Sequence, residues 1–312
     1  MTFEHEFPSI ATFTLSYVGR RGYHLEQLAN VNQLTPGTVQ ANPKGTNPDA
    51  LRPYKGYSTI IEAQNTGGSF FHAMEVNLKR RLTKGFLFGV AYTWSKSLDY
   101  GSSNGTNIPN AYDNSIMFGP SDFDTRHVLV TNYVWNIPYG THSTHSFVRS
   151  TFGDWQFSGT IQAQSGRPPS GNVSRNLDQA GVGPGSGNQY YVHTRAPALP
   201  HKFGSTGNAQ WFDPSVFHPA DPGTFAPRDS RNIVKGPGFQ SFNAALQKSF
   251  HVIPGHENHQ LIFRAEAFNY LNHPNWDNPD VNPTSSTFGK VTSKGTTYAS
   301  DRQYQFSLRY SF

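Results

Sequence analysis

The sequence predicts an all-β fold, an antiparallel transmembrane β-barrel wall with long external loops. Three features of the chain carry that expectation. The C-terminal segment is apolar on one strand face only, segments of about ten residues with the same two-sided pattern recur along the chain, and the connections between them are either very short or very long.

The terminal segment, Arg302-Gln-Tyr-Gln-Phe-Ser-Leu-Arg-Tyr-Ser-Phe312, places Tyr304, Phe306, Leu308, Tyr310 and Phe312 on one face. Gln303, Gln305, Ser307, Arg309 and Ser311 take the other, because successive strand side chains point to opposite faces. Five large apolar residues in register, closing on a bare aromatic, resemble the C-terminal strand of bacterial outer-membrane proteins. That resemblance implies recognition by the barrel-assembly machinery.

Composition agrees with a strand-built membrane wall. The apolar share is 35% of 312 residues, and no apolar run approaches the roughly 20 residues of a membrane helix. A barrel needs apolar residues only at alternate strand positions. Aromatics stand at 14%, charged residues at only 14%, and there are 29 Gly and 22 Pro. Soluble domains carry about 25% charged residues. Cysteine is absent, which suits an oxidising envelope compartment. The net charge of +5 is spread thinly, and its one cluster (Lys79, Arg80, Arg81, Lys84) sits at a strand end. No helix carries a basic stripe, so nucleic acid is not an expected partner.

In chain order, the predicted strands are Ala11–Val18, Tyr57–Ala63, Ser69–Leu82, Phe86–Ser97, Arg126–Trp135, Trp155–Gln164, Ser241–Phe250, Gln260–Leu271 and Arg302–Phe312, with a weaker one at Phe288–Thr292. Ser69–Leu82 sets Met74, Val76 and Leu78 against Glu75, Asn77, Lys79 and Arg81. After the tight Thr83-Lys84-Gly85 turn, Phe86, Phe88, Val90, Tyr92 and Trp94 oppose Gly89, Ala91, Thr93 and Ser95. Trp155, Phe157, Ile161 and Ala163 alternate with Gln156, Ser158, Thr160, Gln162 and Gln164. A face of amides and hydroxyls suits a watery lumen. Tyr57–Ala63 and Arg126–Trp135 are apolar on both faces, so their registers stay open. Thr83–Gly85 and Ile253–Asn258 read as short turns; Leu98–Thr125, Gly166–Gln240 and Asn272–Asp301 read as long loops. Short turns at one end and long loops at the other are expected of outer-membrane barrels.

Several stretches then resemble one family, the TonB-dependent outer-membrane transporters of Oar-like barrel type. They are Tyr17-Val-Gly-Arg-Arg-Gly22, Ala91-Tyr-Thr-Trp-Ser-Lys-Ser-Leu98, Gly119-Pro-Ser-Asp-Phe-Asp-Thr-Arg-His127, Gln164-Ser-Gly-Arg-Pro-Pro169, Gly236-Pro-Gly-Phe239, Phe263-Arg-Ala-Glu-Ala-Phe-Asn-Tyr-Leu-Asn-His-Pro-Asn275 and the terminal strand. The resemblance implies a barrel of about 22 strands around a plug, energised through TonB. The N-terminus has no basic and apolar leader pattern, and neither a plug nor a TonB-contacting segment is read. The expectation is therefore that residues 1–312 are the C-terminal part of the barrel, in contact with outer-membrane lipid and the assembly machinery. TonB would act only through the N-terminal part of the longer protein.

Gly101-Ser-Ser-Asn-Gly105 fits the G-x-S-x-G pattern but is not followed by a helix, so no catalysis is expected. His142 and His145, and His251, His256 and His259, read as solvated turn histidines rather than a metal site. Asp122 and Asp124 could offer oxygens to calcium; the preferred reading is a strand-entry turn. Gly181-Val-Gly-Pro-Gly-Ser-Gly187 lacks phosphate-loop spacing. No cofactor is expected. Arg264 and Glu266, with Gln156, Gln162 and Gln164, are the candidates for the lumen. Tyr112, Asn114, Tyr190, Tyr191, Trp211 and Phe212 are the candidates for carbohydrate or peptide contact in the external loops. Two alternatives stand beside this reading: a self-contained small barrel of ten strands acting as a passive pore or adhesin, and a soluble carbohydrate-binding sandwich.

Overall fold

The computed structural model describes residues 1–8, 10–197, 209–252, 259–295 and 301–312. The expected turn at Ile253–Asn258, with His256, lies outside the described residues.

Nine long strands follow one another in a single antiparallel meander. They are β1 (Thr2–Phe7), β2 (Ala11–Asn30), β3 (Ile61–Thr83), β4 (Phe86–Asp99), β5 (His127–Ile137), β6 (Trp155–Gln164), β7 (Phe239–His251), β8 (Gln260–Phe268) and β9 (Gln303–Ser311). Every strand pairs with its sequence neighbours, so β1 and β9 are the two edges of this sheet. β2 and β3, at 20 and 23 residues, are about twice the span a tilted membrane strand needs.

The register sorts the side chains into two faces. One row across the sheet reads Phe86, Trp135, Phe157, Leu246, Ala265 and Phe306; another reads Phe13, Leu78, Val90, Thr131, Ile161 and Phe242. On the opposite face run Thr14, Asn77, Ala91, Val130, Gln162 and Ser241, and Asn136, Gln156, Gln247, Arg264 and Ser307. The apolar face is bare: Phe306 is 69% and Leu308 66% exposed. A soluble sheet would bury such a face against a second layer. The expected membrane wall would meet lipid on that face.

The turn between β3 and β4 shows how local chemistry fixes this register. Lys84 (φ 52°) and Gly85 (φ 77°) both take positive φ, as a two-residue hairpin turn requires. A Cβ on Gly85 would come within 2.8 Å of the Asn136 carbonyl on the neighbouring strand. Glycine is therefore required there for space as well as for its dihedral.

Some expectations are corrected. Tyr57–Ala63 and Ser69–Leu82 are not separate strands, because β3 runs unbroken from Ile61 to Thr83 and Tyr57 lies in the preceding loop. β8 stops at Phe268, since Asn269 (φ 48°) turns the chain. Phe288–Thr292 contributes only Lys290–Val291, paired with Ala209–Gln210. β1 and a helix at Ser146–Phe152 were not expected.

Candidate functional site

The connections of residues 31–60, 100–126, 165–238 and 269–302 all leave from the same end of the meander, because each follows an even strand and precedes an odd one. They are not structureless. Val173, Phe212, Val216, Phe217, Val234 and Val281 form one apolar core, with Trp211, Tyr191 and Phe288 against it. Ala29, Ile108, Ile116 and Met117 form a second, backed by Tyr100 and Tyr190. The loops therefore make a folded external layer seated on the upper strand ends.

Charges lock that layer to the sheet. Asp99 and Ser97 lie on the polar side of β4's last turn of pleat. Arg231 reaches across from the third loop, its Nη1 2.6 Å from Asp99 Oδ1 and its Nη2 3.3 Å from Asp122 Oδ1. The Arg231 Nη1 also donates to the carbonyls of Asp99 and Met117. Two residues on, Asp124 accepts from Lys96 at 2.9 Å, Lys235 at 2.8 Å and the Ser97 amide at 2.8 Å. Burial alone would raise the Asp124 carboxyl, but the Lys235, Ser97 and Lys96 donors outweigh it and hold the group below its ordinary value. Burial draws the Lys235 ammonium down despite its bond to Asp124. The two partners point opposite ways as to whether the pair stabilises. The Asp124 side decides it, because three donors converge on one enclosed carboxylate.

Asp122 and Asp124, weighed as calcium ligands, thus face cations of the chain itself. The Gly181–Gly187 loop is held in the same manner: the amides of Val182 and Gly183 donate to Asp178 at 2.8 and 2.7 Å, and Arg52 bonds the Pro184 carbonyl at 2.8 Å. The Gly101–Gly105 stretch runs into a short strand, Thr106–Asn107, with Ser103 Oγ beside Thr106 Oγ1. His259 Nδ1 lies 2.8 Å from the Tyr310 hydroxyl, His251 4.0 Å from Asp154, and His145 precedes the Ser146–Phe152 helix.

The six loop residues expected to meet a ligand separate into two groups. Phe212 is 1% exposed at the centre of the first core, packed edge-on against Phe217 and Phe288. It has no surface to offer, so its expected role in contact is corrected to packing. Trp211 donates its indole N–H to the Lys235 carbonyl at 2.6 Å, and Tyr191 packs on the same core. Tyr190 directs its hydroxyl at Met117 Sδ, and burial pushes that phenol up to about 12. Tyr112 and Asn114 stand apart. With Tyr23, His24, Gln64 and Asn65 they line an open cavity of about 530 Å³. His24 sits there with φ 54° at the first of two register shifts of β2. Bulges and left-handed residues of this kind re-aim side chains and concentrate at functional sites. Tyr23 and His24 were missed because Tyr17–Gly22 ends just before them and the alternation breaks at the bulge.

Of the residues assigned to a lumen, Gln156, Gln162 and Gln164 share the polar face. Gln156 Nε2 donates to Asn136 Oδ1 at 2.8 Å, and Arg264 pairs with Glu266 at 2.8 Å on that same face. Tyr304, Phe306, Leu308 and Tyr310 lie on the apolar face, and Phe312, just past the strand, stacks on Tyr310. Among the described residues no helix is long and apolar enough to cross a membrane.

A family match agrees with this two-faced wall. The family described as outer membrane beta barrel domain matches residues 1–305. The chain belongs to that family, and its place is the bacterial outer membrane. Among solved structures it is similar to the outer membrane transporter YddB from Escherichia coli, at 12% identity and a TM-score of 0.48 over 100% of this chain and 32% of that one. It is also similar to the ferric-catecholate import receptor Fiu from E. coli K12, at 8% identity and a TM-score of 0.39 over 100% of this chain and 34% of that one. The chain thus spans about a third of the length of each. No curated protein matches it in sequence.

Proposed function

We propose that the chain is the C-terminal stretch of the wall of an Oar-like, TonB-dependent outer-membrane transporter, and that it contributes to uptake of a bulky solute. The observation that carries this reading is the joining of three things in one sheet. A bare apolar face meets lipid, a polar face of Gln156, Gln162, Gln164, Arg264 and Glu266 lines a lumen, and a folded external layer stands over one end. The cavity at Tyr112 and Asn114 is the proposed point of ligand contact.

The two unpaired edges support a segment of a larger barrel over a self-contained one, since an open edge in lipid leaves backbone groups unsatisfied. The terminal strand is the proposed handle for the barrel-assembly machinery, and TonB would engage the N-terminal part of the intact protein.

The intact protein in a planar bilayer tests the reading. A plugged, energy-coupled transporter gives no steady conductance, and uptake in cells stops when TonB is removed. Steady open-channel current, with uptake indifferent to TonB, would establish the passive pore instead.

A further inference from the structure

The connection between β5 and β6, residues 138–154, is on the opposite side from the external layer and is longer than its hairpin requires. It folds into the Ser146–Phe152 helix. Two side chains tie the end of that helix down, and both come from the apolar face. Trp155 donates its indole N–H to the Thr151 carbonyl at 3.0 Å, and Lys248 bonds the Gly153 carbonyl through Nζ. Trp155 and Lys248 are themselves register partners on β6 and β7.

Lys248 is a cation on a lipid-facing row, 3% exposed, with its Nζ 5.2 Å from the Trp155 ring centre and 5.0 Å from that of Phe250. A lipid-facing charge is tolerated near the interface and penalised at mid-membrane. Caged by rings and bonded to the turn, Lys248 suits a position at the edge of the lipid-facing band rather than its middle. The turn then presents rings that stay bare among the described residues: Phe147 is 75% exposed, Tyr139 67%, and Phe152, edge-on to Tyr139, is also exposed. Residues 138–153 contain His142, His145 and Arg149 and no carboxylate. Asp154, the first acidic group, lies beside His251.

We infer that residues 138–154 form a lipid anchor lying in the head-group region of the inner, phospholipid leaflet of the outer membrane. Phe147, Phe152 and Tyr139 enter the acyl boundary, and Arg149 meets anionic head groups. The apolar surface of the turn continues the lipid-facing band of the wall through Trp155 and Trp135. This assignment rests on the outer-membrane placement and is independent of the transport reading.

Residues 1–312 contain no cysteine, so labelling needs only the replacement of any thiol elsewhere in the intact protein. A nitroxide is attached at F147C in the intact protein, reconstituted in vesicles of phosphatidylethanolamine and phosphatidylglycerol. Its collision rates with oxygen and with a water-soluble nickel chelate are compared, with K55C in an external loop as the aqueous reference. Oxygen collisions in excess of nickel at F147C, reversed at K55C, are the expected result, and adding R149E should shift F147C toward nickel. Nickel collisions in excess would put the turn in water. Low collision rates with both would mean that Phe147 packs on protein. Either outcome overturns the anchor.

Discussion

Arg231 and Asp99 meet at 2.6 Å with both side chains almost wholly enclosed, joining the long third loop to the upper end of β4. Removing one partner of a buried pair leaves the other charge uncompensated, at a cost of about 3–5 kcal/mol. Arg231→Ala is therefore expected to loosen the external layer while the wall stays paired. Amide hydrogen exchange should accelerate across residues 100–126 and 228–238 and stay slow in β6 and β7. Uniform protection in the loops of the variant would show that the apolar cores alone hold the layer.

Asp124 supplies a pH dependence whose sign follows from its three donors. Its folded carboxyl titrates below the ordinary value of 3.8, so the ionised form favours the folded layer. That contribution is complete above about pH 4 and is lost as the pH falls through the lowered folded value. Protease sensitivity of the external layer should rise only below about pH 4. In Asp124→Asn that acid step should shrink to what Asp213 and Asp280, also held below their ordinary value, contribute, and the layer should be weaker at neutral pH. An unchanged acid step in the variant would assign it to other carboxylates.

The two faces of β9 give a paired test. Phe306→Arg puts a charge on the lipid-facing row and is expected to cost about 2–4 kcal/mol near the bilayer centre. Gln305→Arg, one residue away, faces Glu266 across the β8–β9 pair and should be nearly neutral or mildly stabilising. Urea titration in vesicles, read by the heat-dependent gel mobility of the folded barrel, separates them. Equal costs would refute the face assignment.

How much of this was legible beforehand depended on whether lipid imposed a pattern. β9, the β3–β4 hairpin and β6 each set an apolar face against a polar one, so their side chains alternate and can be read. Above the lipid the same strands lose that constraint. Gln64-Asn-Thr-Gly-Gly68 continues β3 as polar and small residues with no apolar face, and the strand appeared to break there. The Ser146–Phe152 helix was too short to show a stripe. The external layer was the least legible part, because its contacts join distant positions: Phe212 packs against Phe288, and Arg231 pairs with Asp99. Aromatic residues in a loop therefore read as ligand contacts when most of them are its core. The Phe263–Asn275 motif has a local explanation that sequence alone did not show. Asn275 donates to the Gln240 carbonyl and accepts from its amide, so its side chain takes the place of a strand neighbour just above β8.

Phe212 and Tyr112 distinguish packing from recognition within the external layer. Phe212→Ala empties the centre of a core and is expected to cost about 3–5 kcal/mol. Tyr112 is 54% exposed on the cavity rim, and its one hydroxyl bond, to the Gln33 carbonyl at 2.6 Å, is worth about 1 kcal/mol. Tyr112→Ala should therefore leave the melting of the layer almost unchanged and still lower solute uptake by the intact protein. Tyr112→Phe keeps the ring and loses only the bond to Gln33, so uptake that survives in it assigns the contact to the ring face. Phe212→Ala should reduce melting and uptake together. If Tyr112→Ala transports as well as the parent, the cavity at Tyr23, His24 and Asn114 is not the point of contact, and recognition lies elsewhere on the layer.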